Sequence, residues 1–391
     1  MNNTGNVTPS KGLAITYLVR LSIGSPSGGR SEIENLNVIK KIREGFLDFP
    51  YASSQAMKRA LRETLKGLGY KISPIVNTSP ARTVGDPIKY IDDDLFGFME
   101  AASKKSGRAE IDKFNGIRKA VVSMTPLLSL SAFDDNVDFG SNMMGLQAGG
   151  NPMPYETEVH RGWYRVSLYI DLNRIGTDAG FITEIKEVKR ADDINELIKS
   201  SIEEYDFIAE VPEDKNNNLK KGYATLKKIC TNELLKEERY KRTKALLDAI
   251  RFLAPSGRSS NWLIDLTPKL MVAAYVKGAR TPFLESPLLD DKQKDRNVIN
   301  LTAIETSRET FADGIESMVV GYRDDLIEKP GEKNEETPKA TVPSQKDNKK
   351  TDNSFDVTSI RDAFITMDIW LKKHFKIDAK EKTAYEGDKG E

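Results

Sequence analysis

The sequence predicts an α+β protein whose sheet is interrupted by long insertions, and three observations lead to this fold class. Residues 14–23 and 163–173 alternate between apolar and polar side chains, with the two-residue period of a strand. Residues 54–68 have the period of an amphipathic helix with one apolar and one basic face. Residues 70–118 and 131–162 have neither period, and we interpret them as insertions between the elements of the core.

The remaining elements follow from the same two periods. We predict strands within 119–130 and a strand pair around 262–276, and helices around 95–104 and over 192–205, 233–253 and 307–322. Residues 328–354 contain almost no apolar side chain, which is typical of a disordered linker. After this linker, Asp356 is the predicted N-cap of a helix whose apolar stripe ends at Phe375.

The length and the charge balance restrict the class of protein. A chain of 391 residues corresponds to roughly two to three domain-sized units. Its 59 Lys and Arg residues equal its 59 Asp and Glu residues, which excludes a wholly basic nucleic-acid binder, so any polyanion must be bound by a local patch. The single cysteine, Cys230, excludes a disulfide framework and a cysteine zinc site. With only His160 and His374 as histidines, we predict no metal and no cofactor.

No stretch of the sequence has the length of a membrane span. The apolar residues 13–19 and 270–276 are far shorter than the roughly 20 residues that a bilayer requires, and Arg20 and Lys277 end them. The polar residues before the first stretch do not have the architecture of a signal peptide. We therefore expect a cytoplasmic protein that makes no membrane contact.

The turn and helix at residues 50–62 are the first candidate binding site. A helix N-terminus presents unpaired N–H groups that favour a phosphate. Neutral donors and then cations follow in order: Ser53, Ser54, Gln55, Lys58, Arg59 and Arg62. Lys58 and Arg62 are one helical turn apart, so this arrangement suits a nucleic-acid backbone without reading its bases. The alternative is a solvated surface helix that Ser54 caps.

Two glycine-rich segments, 24–30 and 255–261, are further candidates. Each places an arginine, Arg30 or Arg258, beside glycines that let the backbone approach a phosphate closely. Gly257 and Ser259 flank the second arginine. Neither segment has the spacing of a P-loop or of a dinucleotide-binding loop. The alternative interpretation of both is an ordinary turn.

The insertion at 131–162 contains apolar side chains in a setting too rich in glycine for a core helix. They include Phe133, Phe139, Met143, Met144, Leu146 and Met153. Such side chains on a hairpin can wedge between stacked bases or bury against a neighbouring subunit. The alternative is a loop that folds back onto its own core.

Two groups of carboxylates raise the possibility of metal-assisted RNA hydrolysis. They are Asp92, Asp93 and Asp94, and Asp134, Asp135 and Asp138. Acidic residues in loops more often form turns and caps. His160 beside Arg161 is a candidate general base. The sequence nevertheless contains no assembled catalytic constellation, and we predict that the protein is not an enzyme.

Together, these stretches resemble one known family. The ordered motifs are Gly28-Gly29-Arg30 with Asn37 and Lys40-Lys41, then residues 50–62, Asp92-Asp93-Asp94-Leu95-Phe96-Gly97, Asp138-Phe139-Gly140, residues 155–160 and Gly257-Arg258. This order resembles the DevR-type Cas-seven branch of the RAMP superfamily, the backbone subunit of the type I-B CRISPR surveillance complex Cascade. The resemblance covers about residues 12–325.

The resemblance implies a hand-shaped fold: a modified RRM/ferredoxin-like palm with inserted helical fingers and a protruding thumb hairpin. The implied divisions are palm at 12–69, fingers at 70–118, a palm strand at 119–130, thumb at 131–162 and the rest of the palm at 163–327. A disordered linker at 328–355 and a C-terminal helix at 356–378 would follow. The sequence lacks the aromatic pair of an ordinary RRM, so we expect the palm face to be used differently.

The resemblance also implies a function and partners. Copies would stack into a helical filament along a guide RNA (crRNA), which pairs with a target DNA strand, beside the guide-end capping, large and small subunits of Cascade. The implied RNA-binding residues are Arg30, Asn37, Ser53, Ser54, Gln55, Lys58, Arg59, Arg62, Gly257, Arg258 and Ser259. Met143 and Met144 would form the thumb tip, with His160 and Arg161 in the thumb.

Two alternatives to this function remain open at the level of the sequence. The first is a metal-dependent target-RNA endonuclease, because related type III subunits cut RNA with an aspartate after the first strand. Residues 24–49 offer Glu32, Glu34, Glu44 and Asp48 but no evident match to that aspartate. The second is a sequence-specific regulator, for which we find no helix-turn-helix pattern.

Overall fold

The computed structural model describes most of the elements on which these predictions depend. The described residues are 9–78, 81–85, 87, 89–99, 117–142, 153–176, 209–210, 227–228, 233–256, 262–278, 280–290, 297–330 and 355–377. The chain divides into two units. The first comprises Met1–Thr64, Ser123–Asp171 and Ile250–Phe364, and the second comprises Leu65–Val122, Leu172–Ala249 and Ile365–Glu391.

The described elements are mainly strands, with few helices. The strands are β1 (Lys11–Gly24), β2 (Leu36–Asn37), β3 (Lys41–Glu44), β4 (Leu47–Ala52), β5 (Ile75–Thr78), β6 (Ala81–Thr83), β7 (Phe98–Met99), β8 (Ile117–Arg118), β9 (Val122–Met124), β10 (Leu127–Ser129), β11 (Val137–Asn142), β12 (Met153–Glu158), β13 (His160–Asp171), β14 (Ala209–Glu210), β15 (Lys227–Lys228), β16 (Leu270–Lys277), β17 (Ile315–Tyr322) and β18 (Asp356–Ser359). The helices are α1 (Ser54–Gly67), α2 (Ile91–Phe96), α3 (Glu233–Arg251), α4 (Leu301–Thr310) and α5 (Ile360–Phe375).

A nine-stranded sheet dominates the first unit. Its order is β18-β17-β16-β1-β13-β10-β4-β3, and β9 also pairs with β13. The central strand β1 is antiparallel to both β13 and β16. Because β1 lies between two long strands and is covered on both faces, every residue from 12 to 19 is buried. Strand β1 therefore does not have the half-exposed pattern that its alternation suggested.

One face of this sheet packs into an apolar core cluster of the first unit. The cluster contains Ala14, Leu18, Tyr169, Leu270, Val272, Ala274, Val276, Phe283, Ile304 and Val320. Alternate residues of β1 and β16 contribute to it, as expected for strands whose successive side chains point to opposite faces. The pairing of these strands thus fixes the end of β1, from which the first glycine-rich loop begins.

The structure confirms the long periodic elements and corrects two others. The helix predicted over 307–322 is instead α4, a turn and strand β17, because Ile315–Tyr322 pairs with β16 along its length. Tertiary pairing here outweighs the local pattern. The strand pair predicted around 262–276 is the single strand β16. The helix predicted over 192–205 lies outside the described residues.

The C-terminal segment adds a strand before its helix. Asp356 is not an N-cap: residues 356–359 form β18, which pairs in parallel with β17. The helix α5 begins after Ser359, whose hydroxyl oxygen accepts a hydrogen bond from the Asp362 N–H at 3.1 Å. The Ser359 hydroxyl also donates to the Asp362 carboxylate at 2.8 Å. This reciprocal contact resembles a capping box and fixes the start of the helix.

Gly97 follows α2 and is, among the described glycines of the second unit, the one where a side chain fits least. Its φ is +71°, and a Cβ atom there would lie 2.3 Å from the Arg118 carbonyl oxygen and 2.7 Å from the Ala120 nitrogen. The prediction of a helix around 95–104 is wrong in its bounds: the helix is Ile91–Phe96, Phe98–Met99 is strand β7, and residues 100–104 lie outside the described residues. A left-handed glycine with backbone on both sides leaves no room for relaxation.

We expect Gly97→Ala to lower the free energy of unfolding by about 3 kcal/mol or more, because backbone strain and a backbone clash add together. Gly69→Ala is the matched control. Gly69 also has a positive φ, +90°, but no atom within 4 Å of its added Cβ, so only about 1 kcal/mol of strain is expected. Urea unfolding monitors both. Equal losses for the two variants would show that packing around Gly97 contributes nothing.

Candidate nucleic-acid interface

The helix α1 starts where the sequence predicted, with a different cap. The Ser53 hydroxyl oxygen accepts a hydrogen bond from the Ala56 N–H at 3.3 Å, and the Ser53 carbonyl accepts from Met57 at 3.1 Å. Ser53, rather than Ser54, is therefore the N-cap. Strand β4 ends at Ala52, so the edge region of the large sheet positions the N-terminus of the helix directly.

The cations of α1 lie on two different parts of its surface. Lys58 and Arg62 are both half-buried. The pKa of Lys58 is lowered, first by burial and second by the positive charge of Arg62, so the two cations repel each other. Arg59 is exposed and pairs with Glu63 at 2.9 Å. We call the set Ser53, Ser54, Gln55, Lys58 and Arg62 the basic ridge.

The loop after β1 is hydrogen-bonded to the strands that lead into the basic ridge. The Ser27 hydroxyl donates to the Tyr51 carbonyl at 2.7 Å and accepts from the Lys40 N–H at 3.1 Å. The Gly29 N–H donates to the Val38 carbonyl at 2.7 Å. Arg30 is exposed. The loop is therefore built onto the same corner of the first unit as the start of α1.

The residues on the two sides of the second glycine-rich segment contact two different parts of the first unit, the C-terminal half of α1 and the end of β1. The Ala254 N–H donates to the Thr64 hydroxyl of α1 at 3.1 Å. After the segment, Trp262 and Ile264 lie against Gly24. A Cβ atom added to Gly24 would be only 2.7 Å from the Ile264 side chain. Gly257, Arg258 and Ser259 themselves lie outside the described residues. The structure thus brings both ends of their segment to α1 and to the first loop.

The segment predicted as the thumb contains an antiparallel strand pair, β11 and β12, and the short strand β2 pairs in parallel with β12. Asn37 is half-buried and its amide donates to the Thr157 hydroxyl at 3.4 Å, which ties β2 to β12. Phe139 is 68% exposed and Tyr155 is 43% exposed. Met143 and Met144, the predicted tip, lie outside the described residues.

His160 stabilises the base of this hairpin. Its side chain is 2% exposed, with Nδ1 2.8 Å from the Tyr164 hydroxyl and Nε2 3.2 Å from the Ala132 carbonyl. Burial lowers the pKa of His160, so the ring is neutral, donates from Nε2 and accepts at Nδ1. At this buried position, the His160 side chain is not accessible to an RNA strand or to a substrate. Arg161 next to it is exposed.

Lys41, a cation of the Lys40-Lys41 motif to which the sequence assigned no role, lies beside the base of the hairpin. The Lys41 ammonium is 2.7 Å from the Glu158 carboxylate and 3.9 Å from the centroid of the Phe133 ring. Glu158 also accepts from the Ile39 N–H at 2.7 Å. Lys41 and Glu158 are 117 residues apart, so their contact is not readable from spacing. It connects the strands near the basic ridge to β12.

The three consecutive aspartates are internal to the second unit. Asp92, Asp93 and Asp94 all have 0% exposed surface. Asp92 accepts from the Ser73 N–H at 2.8 Å, and Asp93 accepts from the Gly85 N–H at 3.0 Å. Asp94 lies between two arginines, Arg118 and Arg242. These carboxylates stabilise loops, and their geometry is not that of an open metal site.

The other carboxylates of the metal hypothesis are dispersed. Asp48 accepts two hydrogen bonds from Arg43, both at 2.9 Å, and the Arg43 hydrogen bonds are the main cause of its lowered pKa. Asp134, Asp135 and Asp138 are exposed, and Asp135 has the positive φ of a turn residue, +53°. Among the described residues, no group of three or more His, Cys, Asp or Glu side chains could hold a metal ion.

The comparison with protein families identifies the class of protein. The model of the family described as "CRISPR-associated negative auto-regulator DevR/Csa2" matches residues 55–297, which is more than half of the 391-residue chain. The chain therefore belongs to this DevR-type Cas7 family, which confirms the family resemblance seen in the sequence. The type I-B assignment stays a prediction.

Individual relatives are more distant. A curated protein of Myxococcus xanthus (strain DK1622), "CRISPR-associated protein Cas7/Cst2/DevR", is 30% identical over 108 residues, which cover 25% of this chain and 34% of that protein. The chain thus matches about a third of the length of this relative. Two solved chains titled "CRISPR RNA-guided surveillance complex", one of them "pre-nicking", have TM-scores of 0.44, with 14% and 12% identity. Each alignment covers 92% of this chain, and 99% and 100% of the solved chains.

One further expectation concerns membranes. In the part of the chain that the structure describes, no helix is both long and apolar enough to cross a bilayer.

Proposed function

We propose that this protein is a non-catalytic backbone subunit of a CRISPR Cascade complex, of type I-B, that binds guide RNA along its sugar–phosphate backbone. Membership of the DevR-type Cas7 family supports the Cascade role. The observation that carries the RNA-binding proposal is the basic ridge. There, a helix N-terminus, the three neutral side chains of Ser53, Ser54 and Gln55, and the cations Lys58 and Arg62 lie along one helix and its cap.

The chemistry of the ridge suits a phosphate backbone of any sequence. N–H groups at a helix N-terminus and hydroxyl groups bind phosphate oxygens without distinguishing bases. Bound phosphates would also offset the repulsion between Lys58 and Arg62. A subunit that accepts every guide must bind in this way, because guide–target pairing then supplies the specificity. Local cations are sufficient for this, although the net charge of the chain is zero.

The other elements have roles in this proposal that the family resemblance suggests. The large sheet would be the palm, and residues 70–118 the fingers. The hairpin of β11 and β12 would be the thumb that covers RNA held by the next copy, with the exposed rings of Phe139 and Tyr155 available for contact. The partners would be crRNA, the target DNA strand paired to it, further copies of the chain, and the capping, large and small subunits.

The proposal is tested by what accompanies the protein on purification. When the chain is expressed with a CRISPR array, we expect it to copurify with RNA of uniform length and to elute as oligomers of several copies. Nuclease treatment is expected to shorten the RNA to a protected length that is a multiple of the site size of one copy. Size-exclusion chromatography and a denaturing gel of the extracted RNA make both measurements.

Two results would contradict the proposal. Recovery of a nucleic-acid-free monomer from cells that contain the guide would remove the RNA-binding and assembly roles. Magnesium-dependent cleavage of RNA complementary to the guide would contradict the non-catalytic assignment. A variant with both Lys58 and Arg62 replaced by Ala distinguishes RNA binding by the basic ridge from RNA binding by the rest of the surface.

A further inference from the structure

Leu263 combines two properties that a bulky apolar residue rarely has together. Its side chain is 84% exposed, and its φ is +47°. A left-handed conformation brings the Cβ atom close to the backbone and costs free energy for every residue except glycine. Exposure of a leucine forgoes the stabilisation that its burial would contribute.

The neighbours of Leu263 hold it in this conformation. Ile264 and Leu266 are each 3% exposed, and the Ile264 side chain packs on Gly24 at the end of β1. The Trp262 Cβ atom lies against the same glycine. The chain is therefore anchored on both sides of Leu263, so its backbone conformation is imposed and the side chain points away from the core. Strain that the surroundings maintain in this way is found mainly at functional sites.

Leu263 lies beside Gly24, where the loop that contains Arg30 begins. The segment before it contacts α1 through Ala254 and Thr64, and the residues beside it contact the start of the loop that contains Arg30. Ile23, next to Gly24, is also 52% exposed. An exposed apolar side chain thus lies beside a loop that carries an exposed cation, Arg30.

We infer that Leu263 packs against the faces of bases in the single strand that the basic ridge holds, and so keeps those bases in a fixed position for pairing. This inference rests on the proposed function. Cations bind the phosphates and cannot orient the bases, whereas an apolar side chain can contact a base face of any sequence. The exposed Arg30 in the loop that begins at Gly24 favours a polynucleotide over an apolar protein surface as the occupant of this position.

The test compares Leu263→Asn with the parent protein on two strands of the same length. One strand is an oligouridylate of about twelve nucleotides, within the site sizes of single-strand binders. The other has the same sugar–phosphate backbone with abasic sites throughout. Asparagine tolerates the left-handed region, so the variant retains the backbone conformation and removes only the apolar side chain. Thermal unfolding is expected to be unchanged or slightly improved.

We expect Leu263→Asn to bind the oligouridylate about fivefold more weakly, at the lower end of the range for base-stacking contacts, and to bind the abasic strand as well as the parent does. Ile369→Asn, which replaces an exposed apolar residue of α5 that is 58% exposed, is the control and is expected to change neither affinity. Replacement of Lys58 and Arg62 by Ala is expected to weaken binding to both strands.

The outcomes separate this inference from the proposed function. Equal affinity of Leu263→Asn and the parent for the oligouridylate would overturn the role of Leu263 and leave the basic ridge intact. An equal loss on both strands would also overturn it, because the leucine would then act on the backbone or on the fold. Failure of the parent protein to bind either strand would overturn the proposed function and this inference together.

Discussion

Replacing Asp94 by Asn is expected to lower the free energy of unfolding by about 3–5 kcal/mol, the range for removal of one partner from a buried ion pair. The carboxylate has 0% exposed surface and accepts from Arg118, from Arg242 at 2.7 Å and from the Gly176 N–H at 3.0 Å. The amide of Asn has the same shape but no charge. Two buried guanidinium groups would therefore lose the carboxylate that lies between them.

The contacts of these two arginines explain why one carboxylate has so large an expected effect. Arg118 donates to the Arg174 carbonyl at 3.0 Å, and Arg242 donates to the Pro87 carbonyl at 2.7 Å. Asp94 thus fixes two side chains of the second unit, Arg118 and Arg242. Through them, residues 87–94 are connected to the stretch around Arg174 and to α3. Loss of its charge should loosen these stretches at the same time, which hydrogen exchange would detect as a shared loss of protection.

Asp48→Asn is the matched control for this prediction. It removes a carboxylate that accepts two hydrogen bonds from an arginine, Arg43, but this pair is at the surface, where solvent screens the interaction. We expect no measurable change in the urea midpoint for the control. If Asp94→Asn also unfolds at the parent midpoint, the buried arginines must be stabilised by other groups, and the structural role of Asp94 would be wrong.

The comparison of these two aspartates shows what the sequence could and could not predict. Asp92, Asp93 and Asp94 look like a loop cluster or a metal site along the chain, because the arginines that neutralise Asp94 are 24 and 148 residues away. Elements with a strong local period, such as α1 and α3, were predicted to within two residues. Strand β17 was predicted as a helix, since its state depends on pairing with β16.

The candidate site also has one part that the sequence could predict and another that depends on tertiary contacts. The basic ridge is contiguous in sequence, and the spacing of Lys58 and Arg62 on a helix was sufficient to find it. The position of the first loop beside it depends on Ser27, Tyr51 and Lys40, which meet through the sheet. Leu263 gave no sequence signal, because both its exposure and its positive φ are set by the packing of its neighbours on Gly24.

Replacing Lys58 and Arg62 together by Ala is expected to weaken binding of single-stranded RNA at least about tenfold at low salt, independently of sequence. Two lost phosphate contacts should also make the slope of log affinity against log salt shallower by about 1.4, since each contact to a single strand contributes about 0.7. Fluorescence anisotropy of a labelled oligonucleotide, measured across a salt series, gives both quantities.

The fold should tolerate this double substitution. The lowered pKa of Lys58 means that the charged form is less favourable in the folded protein than in the unfolded chain, so below that pKa the charge reduces stability. Removal of the neighbouring cation also relieves a like-charge pair one turn apart, worth a few tenths of a kcal/mol. A loss of binding with an unchanged urea midpoint would therefore come from the site and not from unfolding.

Lys241 and Lys244, both exposed on α3, provide a control with the same change in net charge. Their replacement by Ala should leave the salt slope unchanged if the ridge binds the strand locally. A slope that stays unchanged in the Lys58 and Arg62 variant would place the RNA elsewhere on the protein. Equal effects of both double variants would indicate that RNA binding depends on the overall charge of the chain. Long-range electrostatic attraction of this kind is not expected for a chain with a net charge of zero.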